Sequence, residues 1–385
     1  MHQVSRTLGI IWSDLWRDPI FRAGLIAKVL LIAFFLPILQ QEWFVPFIVN
    51  WIENPDTLPW AGHLATGNDP LAFPYGPIMF LAHLPTTAIG WFIDTQFGLE
   101  YFAAFGFRIS LLVADILLFL LLIQIFNNLQ KKLLFFYWLS PLVIFITYWH
   151  GQTDVIPVAL FFYVLTLIKY RYFALAGFVL ACAIGAKHSM LIGVPFIFIY
   201  LWMHRGVQRE LQQFLIFLIG GLMLIEAPFF LSDAFRVMVL ESREIDKLYW
   251  LVINMKGDNI IYLTPVVYLL LLYFFWRLKR VNFDLLIAVM GVAFSVVILM
   301  TPSSPGWYLW LLPILAIHQS RYGSGAIILV STFSLLFIAY YLLHTSGASS
   351  ILFEYKMINF DYLQTTTVQS THYTLMIGFG LLMAL

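Results

Sequence analysis

From Leu133 to Met300 the chain repeats one pattern: an apolar run of about helix length, a short turn holding Lys or Arg or a polar cluster, then another apolar run. Backbone polar groups cannot be left without partners in hydrocarbon, so such runs have to become helices if they cross a bilayer. The clearest run is Ala104 to Ile125, and the first is Ala23 to Leu39; both are long enough for a core of ~30 Å. Composition agrees, since 62% of the 385 residues are hydrophobic and 11% are charged, against about a quarter charged in soluble domains. The expected class is an all-α polytopic integral membrane protein.

Further runs at 133–149, 155–168, 172–186, 191–203, 214–230, 260–276, 285–300, 307–317 and 326–343 give about 11–12 transmembrane helices. A short apolar piece closes the chain at 375–385. Residues 4–20 place Val4, Leu8, Ile11, Trp12, Leu15 and Trp16 on one helical face, which suits a helix lying in the interface. Between Gln40 and Ala103 prolines and scattered acids interrupt the pattern, so this region is expected to be a long first external loop with short interfacial helices. No cleavable signal peptide is expected ahead of the first run. No repeat or linker divides residues 1–385, which read as one domain with external loops at 40–103, 231–259 and 344–373.

Lys and Arg in short loops set orientation. With the N-terminus in the cytoplasm, Arg6, Arg17, Arg22, Lys131, Lys132, Lys169, Arg171, Arg205, Arg209, Arg277, Lys279, Arg280 and Arg321 all fall inside. The unusual polar clusters then fall outside: His150–Asp154, Lys187-His188, the 231–259 loop and Thr301–Tyr308. Most span interiors are plain Leu, Ile, Phe and Val. That asymmetry favours chemistry at one surface over passage across the bilayer, where polar groups near mid-membrane and broken helices are needed. A net charge of +1 and the lack of a basic tract argue against nucleic acid. The lone Cys182 excludes disulfides and cysteine metal sites.

Several motifs occur in order over most of the chain. The first loop contains Phe73-Pro74-Tyr75-Gly76-Pro77. Asp115 lies midway along a span that ends in a basic turn. Ser140-Pro141 leads to His150–Asp154, and Ala176-Gly177 leads to Lys187 and then Pro195. Trp307-Tyr308-Leu309-Trp310 precedes Leu312-Pro313. In this order the chain resembles the GT-C-fold membrane glycosyltransferases, and among them the catalytic subunit of GPI mannosyltransferase I and its bacterial relatives. The resemblance implies a hexosyltransferase that uses a polyprenyl- or dolichyl-phosphate sugar, with mannose as the sugar by analogy, and a lipid- or glycan-linked acceptor. It implies action on the non-cytoplasmic face, the periplasmic side of a bacterial inner membrane or alternatively the lumenal face of the endoplasmic reticulum. Relatives carry an aspartate, often Asp-x-Asp, just after the first span as catalytic base. This chain has Gln41-Glu42-Trp43-Phe44 there and lacks that pattern.

Such a transfer needs a carboxylate to take the acceptor proton, cations or donors to hold the phosphate, and an apolar groove for the lipid. Glu42, Asp69 and Asp56 are the candidate bases, although Asp69 also suits a turn. Lys187 and His188 are candidates for the phosphate, against the alternative of a snorkelling lysine. Arg108 is a second phosphate candidate, and an ion pair with Asp115 would need it to reach inward over ~10 Å. His150, Gln152 and Asp154 can contact sugar or phosphate, cap the next helix, or form a thin divalent-metal set; no cofactor is otherwise called for. Tyr75, Trp307 and Tyr308 can stack on sugar or isoprenoid, or serve as an interfacial girdle. A lipid-linked sugar flippase or transporter and a polysaccharide polymerase are the alternative functions.

Overall fold

The computed structural model describes residues 2–204, 208–256, 259–344, 350–352, 355–356 and 366–384. The apolar runs are helices, and three of these are long and apolar enough to cross a membrane: Phe102–Ile125, Arg209–Phe229 and Leu312–His344. A fourth span results if Asn127–Trp138 and Pro141–Trp149, bent by 48° at their junction, are taken together. Five shorter apolar helices of 10–17 residues accompany them, among them Val155–Lys169, Phe173–Ala186 and Phe283–Leu299. At 1.5 Å per residue these reach only ~15–26 Å, short of a ~30 Å core. The protein is therefore a helical membrane protein in which, among the described residues, three to four helices individually have spanning length. Breaks at Pro141 and at the 3₁₀ turn His188–Gly193 shorten the runs that the sequence presents as continuous.

The Leu312–His344 run is itself two helices, broken at Gly323 (φ 76°, ψ −153°), a conformation that only glycine adopts without strain. Tyr308, just ahead of the first half, touches Phe333 and Phe337 of the second, so the run doubles back on itself.

The basic turns converge at one end of the bundle. Lys169 donates to the Ile125 carbonyl, and Lys132 donates to the Ser320 carbonyl at 2.7 Å. Arg321 lies over the Phe126 ring and 3.2 Å from Asp284, while Arg171 approaches Glu210 at 3.8 Å. Arg205 lies outside the described residues. Polar clusters predicted for the opposite face lie away from this end, as described below.

Within the bundle the polar contacts differ from the expected ones. Asp115 pairs with Lys28, not Arg108: Lys28 Nζ donates to Oδ2 at 2.6 Å, with both side chains fully buried. Tyr148 and Tyr137 hydroxyls donate to the same carboxylate at 2.6 and 2.8 Å, and the ammonium sits 3.5 Å from the Trp138 ring centroid. Arg108 instead turns towards the frayed end of the Pro19–Phe34 helix, donating to the carbonyls of Ile32 and Phe35 and to that of Tyr148. It thereby satisfies acceptors that a helix terminus leaves open.

The 40–103 region is more continuously helical than expected. Two short helices, Val45–Glu53 and Pro59–Ala65, fit the expectation, but Pro77–Phe97 is a continuous 21-residue helix antiparallel to Phe102–Ile125. Pro85, Gly90 and the polar Thr86 and Thr87 hide it in a hydropathy reading. Gly90 and Gly106 allow the close approach, since a Cβ at either would strike the partner backbone. Asp94 then accepts from the N–H groups of Tyr101, Phe102 and Ala103, capping the second helix. The 231–259 segment holds short turns and the Val252–Asn254 strand, which pairs with Ile260–Tyr262. Part of the expected 344–373 loop lies outside the described residues. Its described pieces include Ser350–Leu352, which pairs with Leu36–Pro37, and the start of the Thr366–Ala384 helix.

Candidate functional site

A cavity of about 440 Å³ opens where the Phe173–Ala186 helix, the 70–76 loop, the 239–248 segment and the 304–310 turn meet. Its position depends on local backbone features. Gly76 lies directly on the Gly185 carbonyl, leaving no space for a side chain, and its N–H donates to the Ala186 carbonyl at 3.2 Å. This crossing brings Tyr75 beside Lys187. Lys187 ends its helix in extended conformation (φ −154°, ψ 119°), so its side chain turns into the cavity and does not follow the helix surface. Gly151 (φ 83°) makes the turn that delivers Gln152 and Asp154, and its carbonyl accepts from Gln40 Nε2 at 2.9 Å.

Two lysine–carboxylate pairs and one histidine–carboxylate pair border the space. Lys187 Nζ donates to Asp154 Oδ1 at 2.6 Å and lies 5.1 and 5.5 Å from the Tyr75 and Trp310 ring centroids. Trp310 Nε1 donates to the same Asp154 oxygen at 2.7 Å. Asp154 Oδ2 has no hydrogen-bond partner, although the residue is fully buried. His188 Nε2 lies 2.9 Å from each oxygen of Glu226. Lys247 donates to Glu244 Oε1 at 2.7 Å and to Ser304 Oγ at 2.9 Å, while the Ser304 hydroxyl donates to Glu244 Oε2 at 3.0 Å. Trp307 and Trp310 stack at 5.0 Å and form a flat wall. Gly306 is packed against Asp154 Oδ2 and Gln152 Oε1, where a methyl group would collide with both. Aliphatic side chains, among them Leu39, Leu191, Ile192, Leu248 and Val297, complete the lining.

Of the donor-binding residues read from sequence, Lys187, His188, Gln152, Tyr75 and Trp307 line this cavity. Asp154 stands behind Lys187, and its side chain makes no cap bond to the helix it precedes. His150 is buried between Phe145 and Tyr341, with Gln152 Nε2 3.3 Å from its Nδ1; burial pushes its ring down to about 4, so it is neutral. Tyr308 packs into the core against Phe333 and Phe337, and Arg108 is taken up by carbonyl groups. Neither lines the cavity. Tyr75 is kept as a phenol, pushed well above the usual range by burial and by the negative charge of Asp154 and Glu244.

The three candidate bases lie elsewhere. Glu42, Asp56 and Asp69 are exposed and absent from the lining, although Trp43 and Phe44 next to Glu42 belong to it. Asp69 Oδ1 accepts from the Leu71 N–H at 2.8 Å, the bland turn role. Sequence reasoning passed over Glu226 and gave Glu244, Lys247 and Ser304 no role of their own, placing them only within the outer clusters at 231–259 and 301–308. Glu226 sits inside an apolar run, and its only available signal was the cost of a carboxylate there. Among the described residues no group of three or more His, Cys, Asp or Glu is placed to hold a metal ion.

Chemically, the cavity offers ammonium and imidazole groups beside an aromatic wall, a carboxylate open to the space, and an aliphatic surface. A comparison with known protein families finds no family model that matches the chain, and a search of curated proteins finds no match.

Proposed function

We propose that this cavity receives the head group of a polyprenyl-phosphate-linked hexose and transfers the hexose, with inversion, to a lipid- or glycan-linked acceptor. The observation that carries this reading is the meeting of Lys187 and His188 with stacked tryptophans and an aliphatic wall in one space away from the basic end of an apolar bundle. A carrier of this kind has matching parts: a phosphate, a sugar with polar edges and flat faces, and an isoprenoid tail. Lys187, directed by Asp154 and Trp310, holds the phosphate and stabilises the charge that grows on it as it leaves. The Trp307–Trp310 surface takes the sugar face, and Gln152 its hydroxyls. The aliphatic lining leads the tail towards the surrounding lipid. By the positive-inside rule the cavity faces the non-cytoplasmic side, and the order of motifs along the chain supports the same reading.

The test is direct. Purified protein is incubated with labelled polyprenyl-phosphate hexoses and a membrane acceptor pool, alongside Lys187→Ala. Labelled product from the wild type, lost in the variant, is the expected result. Absence of product with every carrier and acceptor tried rejects the reading.

Two observations favour a second reading, lipid-linked sugar transport. The helix leading to His150 is broken and bent by 48°, and Lys28 with Asp115 places charge inside the bundle, both features of transporters. That internal charge is fully paired and enclosed, which weighs against a moving substrate. Counterflow of a labelled lipid-linked sugar in proteoliposomes decides between the two.

A further inference from the structure

We infer that Glu244, not an acid of the first loop, is the proton acceptor of the transfer; this rests on the glycosyl-transfer reading above. A base must come within hydrogen-bond reach of the proton it removes, so it has to face the reaction space. Glu42, Asp56 and Asp69 do not line the cavity. Three carboxylates do stand at its border, and they differ in what remains open. Asp154 is fully buried and held at Oδ1 by both Lys187 and Trp310; its free Oδ2 is covered by Gly306. Glu226 is 5% exposed and meets His188 with both oxygens. Glu244 is the lining carboxylate, with its side chain 32% exposed.

Its setting fits the task. Lys247, Ser304 and Glu244 form a closed triangle in which each pair is bonded at 2.7–3.0 Å. One bond reaches each carboxylate oxygen, and a carboxylate offers about four acceptor directions. The group is therefore fixed in direction while room remains for an acceptor hydroxyl. Lys247 also lies 5.6 Å from the Trp307 ring centroid, so the triangle adjoins the wall assigned to the sugar. In the transfer, the acceptor oxygen forms a bond to the anomeric carbon and its proton passes to Glu244. The bond from that carbon to the phosphate oxygen breaks, and its electron pair leaves with the carrier phosphate beside Lys187. Proton, electrons and charge balance with no further reactant.

The experiment compares full-length wild type with Glu244→Gln, Glu244→Asp, Glu244→Ala, Glu42→Gln, Asp56→Asn and Asp69→Asn. It measures turnover of polyprenyl-phosphate mannose and, separately, equilibrium binding of that donor. Glu244→Gln is expected to lower kcat by about 10²–10⁴-fold with donor affinity within a few-fold of wild type. Glu244→Asp should keep part of the rate, and added formate should restore part of it to Glu244→Ala, which a purely structural role would not produce. Wild-type turnover that survives Glu244→Gln but is lost in one of the three first-loop variants overturns the assignment and leaves glycosyl transfer standing. A Glu244→Gln loss that appears in donor binding, with no formate rescue of Glu244→Ala, also overturns it. No wild-type turnover, and no donor binding, removes both readings together.

Discussion

The molecule contains two lysine–aspartate pairs of the same length, 2.6 Å, in different settings. Lys28–Asp115 is sealed: both side chains are fully buried, two tyrosine hydroxyls also donate to the carboxylate, and Trp138 covers the ammonium. Lys187–Asp154 is open on one side. Its lysine is 13% exposed and lines a cavity, and one aspartate oxygen lacks a partner. A buried pair is tolerated only when hydrogen bonds complete it, and the first pair meets that condition within the protein. The second leaves its lysine facing the cavity, where a ligand can complete the hydrogen bonds of the ammonium. Pair geometry alone thus says little about role; what surrounds the pair decides it.

The largest effect should come from breaking the sealed pair. Asp115→Ala strands a buried ammonium and two hydroxyls, at a cost of about 3–5 kcal/mol, read as a large drop in melting temperature in detergent. Adding Lys28→Met should recover part of the loss; a double variant no better than the single one would contradict the account.

Acid should next distinguish the regions. The His150 ring sits at about 4, below the ~6.5 of an unfolded chain. Its contribution is therefore fully present above pH ~6.5 and is lost as pH falls to about 4, up to ~3 kcal/mol at ~1.4 kcal/mol per unit. Melting curves from pH 7 to 4 should show a smaller acid loss for His150→Leu than for wild type. Equal slopes would rule out the assignment.

Lys187→Met should weaken donor binding by about 100-fold, or 2–3 kcal/mol, measured by equilibrium binding of a polyprenyl-phosphate hexose. Lys28→Met, tested below its own melting temperature, should retain donor affinity. If both variants bind equally poorly, the contrast between the pairs fails. The smallest effect is expected at Glu42→Gln, an exposed position, within ±0.5 kcal/mol of wild-type stability.

Much of this was legible in the sequence because membrane solvation is a strong rule. Runs of Leu, Ile and Phe had to be helices, and the turns holding Lys132, Lys169 and Arg321 had to share a surface, as they do. Lys187 and Gln152 could be grouped because each follows an apolar run on the same side, whereas Tyr75 and Trp307 came from the order of motifs that the chain's resemblance rests on. Pairing was not legible. Lys28 looks like one residue of a plain span, and Asp115 lies nearer in sequence to Arg108 than to its true partner. Only tertiary packing could bring positions 28 and 115 together. The first-loop acids were chosen through position after the first span, yet that backbone turns Trp43 and Phe44 inward and leaves Glu42 outside. Glu244 was given no role of its own because it stands among other charges in the 231–259 loop, and its partner Ser304 lies 60 residues away.

The sealed pair also bears on how the chain is made. Lys28 and Asp115 are 87 positions apart, and synthesis runs at ~5–20 residues per second. The ammonium group thus leaves the ribosome roughly 4–17 s before the carboxylate that will neutralise it. During that delay the Pro19–Phe34 helix carries an unpaired ammonium, and its partner arrives only with the Phe102–Ile125 helix. Biogenesis of this protein should accordingly depend on a holding step, and a truncated chain ending before Asp115 should be released from the membrane or degraded.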